Sequence, residues 1–399
     1  MPILFFLPWA TCHERIDFGR FSLLPYVQRE LPGSSSAISQ DVVDAVLGSY
    51  GDPDFFPSTA STKHLQSATL IEWKDDGAGA DLDDDEILER LTQLRYVSFS
   101  ALAERRFCGH SGYCNADGYQ AVAQRFSADS PGSTAISTRR RDGHGLHYVG
   151  TAFTPRFVRP DHVNANLRID LDAPLVKALL QLPDGLVKRR LDDSIAAYLN
   201  ANTDSSAVLE RTEMVSMRVA FETLLEARHE SSDLRKRFAQ HFSNDLPAKA
   251  TWSPGEVSEA VWRARWKSNV NRPLDAWVQD FCAARNSAAH GGGGEQHEPT
   301  VWPRHNHLLF ASMLFTLMVK QVLADMGLYA ISDRDRALRG GFEAFLGHDL
   351  LGKVEEGKPE LWWSRVERSL LSAIYWNEVF GRNVESDVDH DGDAHPHPD

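Results

Sequence analysis

The chain has few cysteines and no excess of positive charge. Four cysteines are scattered through 399 residues, and the formal net charge is −14. So few dispersed cysteines exclude a disulfide framework and indicate a reducing compartment, so we expect a cytoplasmic protein. The negative charge argues against a surface that binds nucleic acid in general. The sequence also contains no internal repeat and no glycine-rich phosphate loop, which argues against repeat proteins and P-loop enzymes.

Membrane and metal signals are weak as well. The segment PILFFLPWA is short, contains two prolines and has no basic flank, so it predicts a strand rather than a signal peptide. We find no run that approaches membrane-spanning length, and we expect no membrane partner. Cys108, His110 and Cys114 could form half of a metal site, but no second ligand pair has suitable spacing. We therefore expect no bound metal.

The pattern of apolar residues predicts an α+β protein. ILFFLPWA and IDFGRFSLLPY are expected to pair as strands across a short turn, and SATLIEW, LHYVGTAFT and NLRIDLD are further strands. DDEILERLTQLRYVSFSALAER reads as a helix. We divide the chain into an α+β recognition or regulatory domain (1–170), connecting helices (171–204), an all-α bundle (205–330), a helical extension (331–381) and a disordered acidic tail (382–399).

The stretch FCAARNSAAHGGGG, residues 281–294, carries the chemistry. It places Arg285, Asn286 and His290 near the end of a predicted helix, directly before four glycines. An arginine can neutralise a phosphate and a histidine can move a proton near neutral pH, which together suffice to break an RNA strand without a metal. Similar Arg–His spacings occur elsewhere. The one at Arg235 and His241 lies on a short amphipathic run, whose charged positions we expect to be solvated.

The setting distinguishes this motif from the others. Pro273 suits the first turn of a helix, and Leu274, Val278 and Phe281 form an apolar stripe that continues to Arg285. A charged side chain on such a stripe is costly unless it is paired, or faces a polar cleft or a partner chain. A glycine after His290 would end the helix, which puts the histidine in the last turn, where the helix dipole favours its charged form.

Two long helical segments bracket the motif. Residues 207–229 have helical periodicity, and residues 307–327 are apolar almost all round. With shorter segments around 234–245 and 255–268, they predict an up-and-down helical bundle. Residues 231–290 contain nine Lys and Arg against six Asp and Glu, a net charge of +3. Such a bundle is suited to binding a short RNA segment within an otherwise acidic protein.

The pattern Arg285-Asn286-x-x-x-His290, followed by glycine and a long apolar helix and preceded by Phe221-Glu222, resembles the HEPN superfamily of all-α ribonucleases. The likeness is greatest to its Apea-like branch and covers about residues 205–330. The resemblance implies a metal-independent ribonuclease site at Arg285, Asn286 and His290, no cofactor, and a homodimer that completes the site. Glu222 matches an acidic position often seen in the first helix of the family.

The function expected from the residues and the resemblance is endonucleolytic RNA cleavage that leaves 2',3'-cyclic phosphate and 5'-hydroxyl ends. The resemblance further implies a role in bacterial antiviral defence or toxin-like RNA cleavage, with a protein or ligand trigger acting on the N-terminal domain. The alternative is a catalytically inactive bundle that binds a protein or a nucleotide. In that case Arg285 would be a buried structural pair and His290 a satisfied helix terminus.

Overall fold

The computed structural model divides into two compact units, Met1–Ser216 and Met217–Asp399. It describes residues 2–27, 39–51, 65–74, 82–108, 114–127, 130–139, 145–149, 157–163, 167–242, 273–290, 304–336 and 338–339. The predicted helix at 255–268, almost all of the predicted extension and the predicted acidic tail lie outside these residues. The predicted division into five segments stays a prediction.

The first unit mixes strands and helices, which confirms the α+β class. Its strands are Ile3–Leu7 (β1), Ala10–Thr11 (β2), Ile16–Asp17 (β3), Phe21–Val27 (β4), Tyr50–Gly51 (β5), Ser67–Trp73 (β6), Val122–Ser127 (β7), Ser130–Arg139 (β8), Gly145–Val149 (β9), Phe157–Val158 (β10) and Leu167–Arg168 (β11). Its helices are Gln40–Leu47 (α1), Asp84–Cys108 (α2), Ala173–Leu180 (α3) and Leu186–Asn200 (α4), with a short 3-10 helix at Ala116–Tyr119. A further helix, Glu210–Leu225 (α5), crosses the boundary between the units.

Seven of the strands form an antiparallel sheet in the order β3-β4-β6-β1-β7-β8-β9. The predicted pairing of the first two strand segments is wrong, because β6 lies between β1 and β4. Ile71 is the register partner of both Phe5 on β1 and Leu23 on β4. All five residues of β1 are buried, as expected for a continuous apolar run in the middle of a sheet. The segment SATLIEW is confirmed as a strand.

The second unit is helical where it is described. After the last part of α5 come Ser231–Phe242 (α6), Pro273–His290 (α7) and Arg304–Asp325 (α8), and a short helical turn begins at Asp333. Phe221 of α5 lies at the centre of an aromatic cluster. Its ring is 5.1 Å from Phe238, 6.1 Å from Phe281 and 5.5 Å from Phe315. These three rings belong to α6, α7 and α8, so one core joins all four helices.

Helix α8 is the most deeply buried of these helices. Every residue from 310 to 320 is buried. The window His307–Asp325 is long and apolar enough to cross a membrane, with a mean hydropathy of 1.6, but 78% of it is buried inside the protein. The expectation that no run approaches membrane-spanning length is therefore wrong for this helix. A helix in the core of a protein can be as long and as apolar as a membrane-spanning helix, because other parts of the protein surround it.

The directions of the helices follow from their contacts. The ring of Phe281 lies 5.9 Å from that of His307, and Trp277 lies 6.1 Å from Phe310. Residue numbers therefore fall along α7 as they rise along α8, so these helices are antiparallel. At the other end of α8, His241 Nδ1 lies 3.0 Å from Asp325 Oδ2, so α6 ends where α8 ends.

Helices α5 and α6 are joined by only five residues, 226–230, and Phe221 contacts Phe238 across them, so they form an antiparallel hairpin. It follows that α5 and α7 run in the same direction. The end of α5, the 226–230 turn, the start of α6, the end of α7 and the start of α8 then share one end of the unit. We call this the motif end.

A buried ion pair attaches the segment after α8. Lys320 Nζ lies 2.6 Å from Asp335 Oδ1, and both side chains are almost fully buried. The other carboxylate oxygen accepts hydrogen bonds from Tyr329 Oη and from Ser332 N and Oγ. Ser332 Oγ in turn accepts from Asp335 N, which caps the helical turn. Burial raises the pKa of Asp335, but Lys320 and the hydrogen bonds outweigh it and the pKa is lowered.

Candidate site at the motif end

Helix α7 has the bounds and the buried face that its sequence predicts. It begins at Pro273 and ends at His290, and Leu274, Val278 and Phe281 are buried. Trp277 stacks on Phe281 with ring centroids 5.2 Å apart. The apolar stripe therefore fixes how this helix is rotated about its axis, and it determines which side chains remain for chemistry.

Arg285 and Asn286 stand at the edge of that packed face. Arg285 is half-buried and Asn286 is exposed, and Arg285 Nη1 donates a hydrogen bond of 3.2 Å to Asn286 Oδ1. Among the described residues, the buried Arg285 Nε has no hydrogen-bond partner. A half-buried guanidinium beside an exposed amide has the capacity to bind an anion.

His290 is the last residue of α7. Its side chain lies outside the described residues, as do Gly291 to Gly294. The structure therefore places the backbone of His290 at the motif end, five residues after Arg285. The role of its imidazole as an acid or a base stays a prediction.

Cys282 connects α7 to α5, and it lies one turn before Arg285 and Asn286 on the same side of the helix. Arg218 Nη1 of α5 contacts Cys282 Sγ at 2.7 Å. Burial raises the pKa of the Cys282 thiol to about 11, and the charge of Arg218 opposes this rise. Cys282 is thus a buried, uncharged thiol beside the site.

A cluster of charged groups surrounds this thiol. Besides Arg218, the guanidinium groups of Arg235 and Arg285 lower the pKa of Cys282, and the carboxylate of Glu222 raises it. We call Arg218, Arg235, Arg285 and Glu222 the arginine cluster. Three guanidinium groups and one carboxylate give the cluster a positive net charge. The cluster thus adds positive charge beside the last turns of α7.

Arg235 corrects one interpretation of the sequence. The charged positions of its helix were expected to be solvated, but Arg235 is only 8% exposed. His241 on the same helix does face solvent in part and pairs with Asp325. Leu234 and Phe238 of α6 are buried, as the amphipathic pattern predicts, but the buried face is wider than the pattern indicates because it includes Arg235.

Glu222 holds two partners. Its Oε1 accepts a 2.8 Å hydrogen bond from Nε of Arg218, which is only 2% exposed. Its Oε2 lies 3.6 Å from His229 Nδ1 in the 226–230 turn. Arg218 Nη2 also donates a 3.4 Å hydrogen bond to the His229 carbonyl. Arg218 therefore ties the turn, its own helix and α7 together.

Two further places in the chain could bind a metal ion or a ligand. The side chain of Cys108 and all of His110 lie outside the described residues, and Cys114 is buried. Within the described part of the chain, no group of three or more His, Cys, Asp or Glu side chains is arranged to hold a metal ion. The first unit has an open groove of about 940 Å³ that is lined by both signs of charge. Two of its lysines are paired, Lys74 with Asp17 and Lys188 with Asp184.

Comparison of the chain with protein-family models, curated proteins and solved structures finds no match.

Proposed function

We propose that the second unit is a metal-independent endoribonuclease of the HEPN type. In this proposal Arg285 holds the non-bridging oxygens of the scissile phosphate, Asn286 orients the phosphate or the histidine, and His290 transfers a proton. The observation that carries the proposal is the half-buried Arg285, which lies at the end of α7 with its Nη1 3.2 Å from the exposed Asn286 Oδ1.

The chemistry is an internal transesterification. The RNA 2'-oxygen forms a bond to the adjacent phosphorus, the bond from phosphorus to the 5'-oxygen breaks, and one proton leaves the 2'-hydroxyl while another reaches the 5'-oxygen. Negative charge grows on the phosphoryl oxygens in the transition state, and positioned guanidinium groups stabilise it there. Buried Arg218 and Arg235 act through their field, since Arg285 is the more exposed of the three.

We also propose that two copies of the chain pair at their motif helices and complete the site. A two-fold axis beside α7 would place the same face of each subunit opposite the other. Ala283 and Ala289 are exposed on this helix, and Ser287 is half-buried, so small side chains allow a close approach. Bacterial antiviral defence or toxin-like RNA cleavage is the biological role that the family resemblance favours.

One observation favours the alternative of an inactive binding module. Arg218 and Arg235 are buried. Buried arginines can serve to hold the helices of a bundle together without taking part in a reaction. Under that alternative the protein would bind a protein or a nucleotide and leave RNA intact.

End-group analysis of RNA after incubation with the purified full-length protein tests the proposal. Cleavage of mixed RNA should persist in EDTA and leave 2',3'-cyclic phosphate and 5'-hydroxyl ends. Complete loss of cleavage on chelation, restored by Mg²⁺, would rule this mechanism out. Intact RNA under all conditions would instead favour the inactive module.

A further inference from the structure

RNA transesterification requires two proton transfers, one from the 2'-hydroxyl and one to the 5'-oxygen. The motif on α7 supplies one histidine per chain. In the proposed dimer the partner subunit adds the same histidine at the same end of a helix, where the dipole favours the charged, proton-donating form. A second imidazole near the same end of the unit would let one group act as base and the other as acid.

His229 occupies such a position. It lies in the 226–230 turn at the motif end, and its side chain is 91% exposed, so an RNA strand can reach it. Its backbone is held by Arg218, whose guanidinium also contacts Cys282 on α7. Cys282 is one turn before Arg285. The turn that carries His229 is therefore connected to the motif helix through a single buried side chain.

The contact with Glu222 indicates which nitrogen of His229 is available. Nδ1 faces Glu222 Oε2 at 3.6 Å, and the carboxylate is mostly buried, with 12% of its side chain exposed. This distance is that of an ion pair rather than a hydrogen bond, and it places Nε2 on the side of the ring away from the carboxylate. A carboxylate beside one nitrogen of an imidazole also accompanies general-base histidines in other enzymes.

We propose that His229 is the general base of this site, and that Glu222 is its positioning residue. The proposal rests on the proposed ribonuclease function. His229 Nε2 takes the proton of the 2'-hydroxyl as the 2'-oxygen bonds to phosphorus, and His290 gives a proton to the departing 5'-oxygen. Position at the end of α7 suits His290 to the acid role, since a helix C-terminus favours a charged imidazole. Exchange of protons with water returns both rings to their starting states.

Several charged groups surround His229. Glu222 and Arg218 face it from α5, and Glu230 follows it in the chain. Asp233 Oδ2 accepts a hydrogen bond from the amide of Arg228 in the same turn, so this carboxylate is directed at the turn as well. The groups around the imidazole of His229 therefore carry both signs of charge.

The test compares single-turnover cleavage of two short RNAs in EDTA. One has the natural 5'-oxygen at the cut site, and the other has sulfur there, which leaves without needing a proton. We expect His229→Ala to lose about a hundredfold in rate on both RNAs, because neither can be attacked without the base. We expect His290→Ala to lose a similar amount on the oxygen substrate and to recover on the sulfur substrate. His241→Ala is the matched control, since His241 also pairs with a carboxylate but lies at the opposite end of α6.

A second readout separates catalysis from structure. The rate of the wild type should rise and fall with pH, and His229→Ala should lose the rising limb on the acidic side, while added imidazole restores part of its rate. Because His229 is highly exposed, its removal should leave the unfolding midpoint unchanged.

The outcomes that overturn the assignment are distinct. If His229→Ala cleaves at the wild-type rate while His290→Ala is inactive, the ribonuclease proposal holds and the role of His229 is wrong. If His229→Ala is slow on the oxygen substrate but recovers on the sulfur substrate, His229 is the acid and its assignment as base is wrong. If the wild type cuts neither RNA, both proposals fall.

Discussion

Replacing Arg218 with methionine should destabilise the helical unit by about 3 kcal/mol. Methionine keeps much of the apolar stem but leaves Glu222 without its 2.8 Å partner. Removing one member of a buried pair costs about 3 to 5 kcal/mol. We expect the lower end, since Glu222 is 12% exposed and His229 lies 3.6 Å away.

A double-mutant cycle makes the cause specific. Arg218→Met combined with Glu222→Gln removes both charges, so the double variant should be more stable than Arg218→Met alone by at least about 1 kcal/mol. Arg211→Met on the same helix is the matched control. Arg211 is exposed, and its replacement should change stability by less than about 0.5 kcal/mol.

Native-state hydrogen exchange is the suitable assay, because the chain has two compact units and a global unfolding transition would combine them. A loss of 3 kcal/mol corresponds to a rise of about 150-fold in the opening equilibrium, so amides in the helices on either side of the 226–230 turn should exchange faster by about that factor. The account of the arginine cluster is refuted if Arg218→Met exchanges like Arg211→Met, or if Glu222→Gln gives no recovery.

The remaining predictions concern the active site, the dimer and the core. Arg285→Ala should lower RNA cleavage at least about a hundredfold without changing the unfolding midpoint, and normal cleavage by the folded variant would exclude its role. Mixing His290→Ala subunits with wild type should lower activity per wild-type chain, and full activity in a strictly monomeric protein would contradict the dimer. The pKa of Asp335 is lower in the folded protein than in the unfolded chain. The Asp335 carboxylate therefore stabilises the fold at pH values above its unfolded pKa of about 3.9, and this stabilisation is lost as the pH falls through the folded pKa. Hydrogen exchange of the α8 amides at pH 7 and pH 3 should show a smaller loss of stability on acidification for Asp335→Asn than for wild type. Asp280→Asn should lower the free energy of unfolding by about 1 to 3 kcal/mol, because Asp280 contacts the fully buried His307 of α8 at 3.1 Å. An unchanged unfolding midpoint would argue against this pair as a structural contact.

Local periodicity explains what could be predicted from the sequence. Pro273 and the spacing of Leu274, Val278 and Phe281 indicate both the start of α7 and its buried face, since helix geometry places residues three and four apart on one side. The same reasoning identifies α8, whose apolar residues surround the helix and therefore require burial on several sides.

Long-range pairing explains what could not be predicted. The contact between Arg218 and Cys282 joins residues 64 positions apart, and no local pattern indicates it. The four-residue spacing of Arg218 and Glu222 was a local signal for an ion pair, but it did not show that the pair is buried. The insertion of β6 between the first two long strands is a similar case, since nearness in sequence favoured a hairpin that the sheet does not contain.

The central claim is tested most directly by the cleavage rate of His290→Ala relative to wild type, measured in EDTA on the same RNA with both proteins shown to be folded. The account predicts a loss of at least about a hundredfold for His290→Ala and an unchanged rate for His241→Ala. A folded His290→Ala protein that cleaves RNA at the wild-type rate would contradict it.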